Sequence, residues 1–145
     1  MIRIDKIKFD FLQSYGRYNI PLICKYTKKT PQHFIEFNHA LTHHNNKHCY
    51  YGVHFYLDDY QFERVWASPT RYVKLLRQYS CVLSPDFSLY TDMPLAMQIW
   101  NTYRSRLLGQ YWQDNRINVI PTVSWSNERS YSFCFDGLPQ TNVRC

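Results

Sequence analysis

Val82-Leu83-Ser84-Pro85-Asp86-Phe87-Ser88-Leu89-Tyr90-Thr91-Asp92-Met93-Pro94 is the stretch that decides the fold. Cys81, Val82 and Leu83 read as the apolar end of a buried strand. Pro85 lacks a backbone donor and stops the ladder. Asp92 stands where a helix N-cap belongs, with Pro94 in the first turn. A strand running through a polar turn into a helix is the repeating unit of α/β folds, and its turn is where they keep their chemistry.

The same unit recurs on both sides. Upstream, Tyr50 to Leu57 is nearly all apolar or aromatic, as a strand buried on both faces requires. A helix in two pieces follows, Gln61 to Trp66 and Thr70 to Tyr79, with Ser68 as N-cap and Pro69 at the first helical position between them. Downstream, a long helix runs from Met93 to about Asn115, its apolar stripe being Ala96, Ile99, Trp100, Tyr103, Leu107 and Tyr111. Ile117 to Trp125 is the third strand, and Pro121 within it suits a bulge or an edge. Nearer the N-terminus, Ile20 to Tyr26 reads as a short strand, and Phe34 to Leu41 fits helix or strand.

Residues 126–145 admit two readings. Tyr131-Ser132-Phe133-Cys134-Phe135 alternates like a strand, yet Ser126 is a good N-cap and Gly137 a good helix end. The strand-helix rhythm selects the helix, and Thr141 to Cys145 then opens a fourth strand parallel to Asn118–Ser124. A sheet ending there has an open edge, which predicts a homodimer or a marginally stable, aggregation-prone monomer. The expected fold is α/β: repeating strand-helix units forming a parallel sheet, partial TIM-barrel-like. It is one domain over 1–145, divided into a basic N-terminal segment, 1–49, and a strand-helix core, 50–145.

Composition sets the bounds. Aromatics at 18% and hydrophobics at 45% supply an ample core and exclude disorder for most of the chain. No apolar run is long enough to span a membrane, and Met1 to Lys6 carries charge where a signal peptide would be apolar, so a cytoplasmic protein is expected. The five cysteines have no CxxC pair and lie mostly in apolar runs, where reduced thiols act as small core residues. Residues 1–50 hold eight Lys/Arg against three acids, a basic third that either follows phosphate backbones or faces water.

Five ordered blocks resemble a known family. They are Val53 to Arg64, Ser84 to Ser88, Asn101 to Arg106, Val119 to Trp125, and Phe135-Asp136-Gly137. The family is a bacterial and phage domain of unknown function, numbered 4417, and the likeness runs from about Tyr50 to the C-terminus with a looser match before it. It implies a parallel α/β barrel or part-barrel encoded by phages and mobile elements. Its members run on past the Phe-Asp-Gly block, so the likeness implies only part of a barrel here. It implies no activity and assigns no residue a role.

In a parallel α/β sheet the site gathers at the carboxyl ends of the strands. Those ends are Asp58-Asp59, Ser84 to Ser88, and Ser124-Trp125. Asp58, Asp59 and Asp86 are the catalytic candidates, as an acid/base set or, for Asp59 and Asp86, as oxygen ligands to Mg²⁺ or Mn²⁺. Ser88, Tyr90, Trp125 and Arg104 are the substrate-binding candidates, with Trp125 stacking a base or sugar and Arg104 clamping a phosphate. The competing reading makes Asp59 and Asp92 helix caps, Asp86 an Asx-turn and Arg104 a surface ion-pair partner of Asp114. His39, His43, His44, His48 and Cys49 read as a solvated loop rather than a zinc site, and His54 as a core histidine. Two functions remain. One is a metal-assisted hydrolase of a phosphorylated or nucleotide substrate. The other is a non-catalytic accessory protein binding nucleic acid or a host protein.

Overall fold

Cys81–Leu83 is a strand, as its apolar run requires, and it sits in the middle of the sheet. The computed structural model describes residues 13–42 and 49–140. Its main sheet has four strands in the order β3 (Phe34–Glu36), β4 (Gly52–His54), β5 (Cys81–Leu83) and β6 (Val119–Ile120). All three pairings are parallel, with Ile35 opposite Val53, Val53 opposite Val82, and Val82 opposite Val119. The expected adjacency of the three central strands is therefore present. Sequential parallel strands need a crossover on a sheet face. Here α1 (Phe37–Thr42) follows β3, α2 (Asp59–Ala67) follows β4, and α4 (Leu95–Asp114) follows β5.

Several expectations need correction. The sheet is open among the described residues, and no barrel closes. It begins at β3, inside the segment assigned to the basic N-terminus, because Phe34-Ile35-Glu36 is a strand that runs directly into α1. Strand Ile20–Tyr26 shrinks to β2 (Ile20–Pro21), paired antiparallel with β1 (Ser14–Tyr15) in a separate hairpin. The second piece of the upstream helix is a 3-10 turn, Pro69–Tyr72, and a single α turn, α3 (Val73–Leu76). The helix expected from Ser126 is only a 3-10 stretch, Glu128–Ser132, and Asn127 caps it by accepting from Arg129 N at 3.1 Å. Gly137 does turn the chain, at φ 74°. Cys24 is disulfide-bonded, so the thiols are not all reduced. Cys81 and Cys134 are free and buried, and burial pushes the Cys81 thiol up to about 11, which suits a core residue. The strand expected at Thr141–Cys145, and His43, His44 and His48, lie outside the described residues.

The core packs aromatics against the sheet. Phe55 stacks on Phe37 at 4.9 Å and on Trp112 at 5.6 Å, and Phe62 meets Phe87 at 5.1 Å. Offset and edge contacts of this kind add to the burial energy of each ring. The larger departure from expectation is α4. Of its expected apolar stripe only Leu107 is fully buried, while Gln98, Asn101, Thr102, Arg104, Ser105, Arg106 and Gln110 are buried instead. The helix is enclosed on more than one side, and its polar side chains serve irregular backbone. Gln113 both donates to Cys24 O (2.9 Å) and accepts from Cys24 N (2.8 Å). Gln110 donates to Gln13 O and Leu22 O, each at 2.8 Å. Gly109 lets this N-terminal arm approach, since a Cβ there would lie 2.3 Å from Ile23 Cδ1.

Two local details position the site. Pro121 cannot donate, so the β5–β6 ladder continues through side chains: Thr122 N donates to Ser84 Oγ at 2.8 Å, and Thr122 Oγ1 donates to Ser84 O at 2.6 Å. At the start of α4 the N-cap is Pro94, not Asp92, and no side chain caps the helix. Asp92 is exposed. Asp92→Ala is therefore expected to shift stability by less than about 0.5 kcal/mol, the range of an exposed surface change, rather than the roughly 1 kcal/mol of a lost cap. A thermal melt of the variant checks it.

Candidate functional site at the carboxyl ends of the strands

The turn after β5 and the start of α2 are tied together. Asp59 does not cap its own helix. Its carboxylate accepts from Ser88 N (3.2 and 3.1 Å) and from Ser88 Oγ (2.9 Å). Ser88 O in turn accepts from Asn101 Nδ2 at 2.7 Å, and Asn101 Oδ1 accepts from Arg104 Nη2 at 2.7 Å. Asp59 is thus held by a chain of bonds reaching two turns into α4.

Asp86 lies on the next turn. Burial pushes its carboxyl above the ordinary carboxylate range, a hydrogen bond from Ser124 works against that, Asp59's charge adds to it, and Arg106 opposes it. Asp59 and Asp86 are therefore electrostatic neighbours, each bound to a serine on an adjacent loop. Asp58 is not part of this pair. It is exposed, occupies the N-cap position of α2 with extended backbone, and makes no side-chain cap bond. Among the described residues no group of three or more His, Cys, Asp and Glu is placed to hold a metal ion. A cation at this mouth would have two carboxylates and would need ligand oxygens from a substrate.

Tyr90 and Trp125 are both exposed, at 59% and 55%. Tyr56 and Tyr60, from the loop after β4 and the first turn of α2, are exposed as well. The carboxyl ends of the strands thus carry exposed aromatic side chains as well as two carboxylates, and Trp125 lines a separate shallow groove with Ser126, Asn127, Arg129 and Tyr131. Arg104 differs from its expected place. It is buried, pairs with Glu63 Oε1 at 2.5 Å, and lies 3.8 Å over the Phe87 ring. A guanidinium on an aromatic face and in an ion pair is a structural anchor. It does not pair with Asp114, and its place in the site is to position Asn101 and through it Ser88.

Sequence reasoning gave Asn101 no part in the site, named Ser124 only as a strand end, and read Arg106, like Arg104, as a phosphate clamp or a surface ion-pair partner. Asn101 instead holds Ser88 and Ser124 holds Asp86, while Arg106 is buried beneath them. Arg106 is 2% exposed, and it donates to Asp136 O (3.0 Å), Thr122 O (2.7 Å) and Cys134 O (3.0 Å). Burial brings its pKa down to about 10, so it remains a cation at neutral pH. A cavity of about 10 Å³, the size of one water, lies among Asp86, Thr102, Ser105, Arg106 and Ser124.

These features define a parallel α/β sheet protein with paired carboxylates and exposed aromatics at the carboxyl ends of its strands. The chain belongs to the family described as Domain of unknown function (DUF4417), whose model matches residues 12–144. The match thus begins well before Tyr50. The chain is 42% identical over 140 residues to the "Gene 1 protein" of Mycobacterium phage L5, covering 91% of this chain and 60% of that protein. It is 49% identical over 89 residues to the "Gene 1 protein" of Mycobacterium phage D29, covering 61% of this chain and 33% of that one. The chain therefore spans less than two thirds of the length of the curated relatives it matches. No solved structure matches it. No helix among the described residues is long and apolar enough to cross a membrane.

Proposed function

We propose that this mouth is a hydrolytic site for a phosphorylated or nucleotide substrate, working in the cytoplasm of the phage's host. The observation that carries the reading is the Asp59–Asp86 pair. A half-buried carboxyl beside a second carboxyl is an arrangement that a divalent cation or a transferred proton relieves. Mg²⁺ or Mn²⁺ would be held by Asp59 and Asp86 together with phosphate oxygens of the substrate. Ser88 and Ser124 fix the two carboxylates, and Tyr90 and Trp125 offer faces to a base or sugar. The test is hydrolysis of bis(p-nitrophenyl) phosphate and of nucleoside triphosphates with Mg²⁺ or Mn²⁺. Asp59→Asn is expected to cost about a hundredfold or more in turnover. Absence of any metal-dependent turnover that Asp59→Asn removes overturns the proposal.

A second reading, a non-catalytic accessory protein binding nucleic acid or a host protein, draws on the exposed Tyr56, Tyr60, Tyr90 and Trp125 and on the basic N-terminal third. It predicts that a labelled oligonucleotide binds at low salt and is released steeply as salt rises, because phosphate contacts displace counterions. Fluorescence anisotropy measures this, and no binding at low salt removes the reading. A homodimer through the edge at β6 remains part of the proposal, since β6 is terminal in the order of the sheet, and light scattering on purified protein decides it.

A further inference from the structure

We infer that a second cavity, at the amino-terminal end of β6, binds a nucleotide unit through its phosphate. This inference stands apart from the hydrolytic mouth, because Ile117 and Asn118 enter β6 from the end of the sheet opposite Asp59 and Asp86. The cavity is open, about 580 Å³, and lies between the arm at residues 24–28 and the edge of the sheet. That volume falls within the range of small-molecule sites.

Its lining carries the argument. Lys25, Lys28 and Arg116 stand against one carboxylate, Asp114. Among the described residues the two ion pairs are His39–Glu36 and Arg104–Glu63, so none of these three cations is neutralised by an acid. Arg116 is held at φ 64°, a left-handed conformation that favours glycine and costs a β-carbon residue energy. That φ belongs to the close of α4, where Ile117 N donates to Trp112 O and Arg116 N to Gln113 O, and it sets Arg116 at the rim of the cavity.

The end of α4 does not oppose an anion as a bare helix C-terminus would. Its last carbonyls are engaged: Tyr111 O and Trp112 O accept from Asn115 N, Gln113 O from Arg116 N, and Asn115 O from Arg77 Nε and Nη2 at 3.1 and 2.9 Å. Arg77 thereby places a cation on the negative end of the helix. Tyr26 also lines the cavity, and an aromatic ring is the surface on which a base stacks. Phosphate at the three cations with a base beside Tyr26 uses the basic and aromatic part of the lining. The same unit is found in a free mononucleotide and in a single strand.

The test uses the full chain with three probes: inorganic phosphate, AMP, and a single-stranded eight-nucleotide oligomer. Titration calorimetry is expected to show AMP binding more tightly than inorganic phosphate. Arg116→Gly is expected to weaken AMP about tenfold, the loss of one charge-assisted contact, while raising the melting midpoint because glycine accepts that φ. The gain in stability excludes unfolding as the cause. Tyr26→Leu is expected to weaken AMP and leave inorganic phosphate unchanged. An oligomer bound more tightly than AMP, and lost with Arg116→Gly, identifies a strand as the source; AMP bound at least as tightly identifies the free nucleotide. AMP no tighter than inorganic phosphate, or wild-type AMP binding in Arg116→Gly, overturns the inference. Trp125→Ala lies at the other mouth and is expected to leave AMP binding here intact. Loss of hydrolysis in Asp59→Asn with this binding retained would separate the two sites.

Discussion

Arg106→Leu is expected to destabilise the protein by about 4 kcal/mol, a large part of the total stability of a domain this size. The leucine fills much of the space but donates nothing. Three carbonyls, of Thr122, Cys134 and Asp136, then lose a charged donor in a buried setting. Each such loss costs about 1–3 kcal/mol, and neighbours on one side chain do not add fully. Arg106→Lys keeps the charge but cannot reproduce three bonds in a planar fork, so it is expected to recover less than half. Urea unfolding of both variants measures this. A midpoint for Arg106→Leu near that of the wild type would show that the segment at residues 122–136 is held by its packing instead.

Asp86→Asn is expected to cut turnover sharply and to raise the melting midpoint at neutral pH. The sign follows from the shift. Burial, with Asp59's charge added, lifts the folded-state pKa of Asp86 above its unfolded value. The folded protein then holds this proton more tightly than the unfolded chain does. Stability contributed by the group is present below the unfolded value and falls as pH rises from there through the raised one. Asparagine keeps the shape, carries no charge, and has no such fall. The gap between the two melting curves should open as pH is raised through that window and remain open above it. Turnover should drop by roughly a hundredfold or more, since the amide can neither shuttle a proton nor ligate a cation as a carboxylate does. A gap that stays constant across the window would show that Asp86 is not in the environment described.

The sequence foretold some of this for reasons that can be named. Cys81–Leu83 and its neighbours were legible because a strand buried on both faces must be apolar throughout. Asp59, Asp86, Ser88 and Trp125 were legible because strand ends are few and their polar residues stand out. The use of α4 was not. Periodicity counts apolar side chains, and it marked Ala96 and Trp100 as inward when both are exposed. Gln110 and Arg106 are buried, and Gln113 half-buried, because the segments beside them lack regular pairing and need side-chain partners, a demand that does not register as hydrophobicity. Asp59 was open to reading as a cap, because its distant partner Ser88 lies 29 residues away. Arg104 was placed at the surface because the pairing with Glu63 and the stack on Phe87 are both long-range.

The fastening of the N-terminal arm to α4 sets an order of events as the chain is made. Cys24 waits for Gln113, 89 residues later, and Leu22 for Gln110, 88 residues later. Ile20, Leu22 and Ile23 are made well before the helix that covers them. Closing a loop that long precedes any gain from it. The arm therefore docks only once α4 has formed, and the disulfide at Cys24 then tethers it in place. Until α4 is complete, the nascent chain carries an uncovered apolar segment at Ile20 to Ile23.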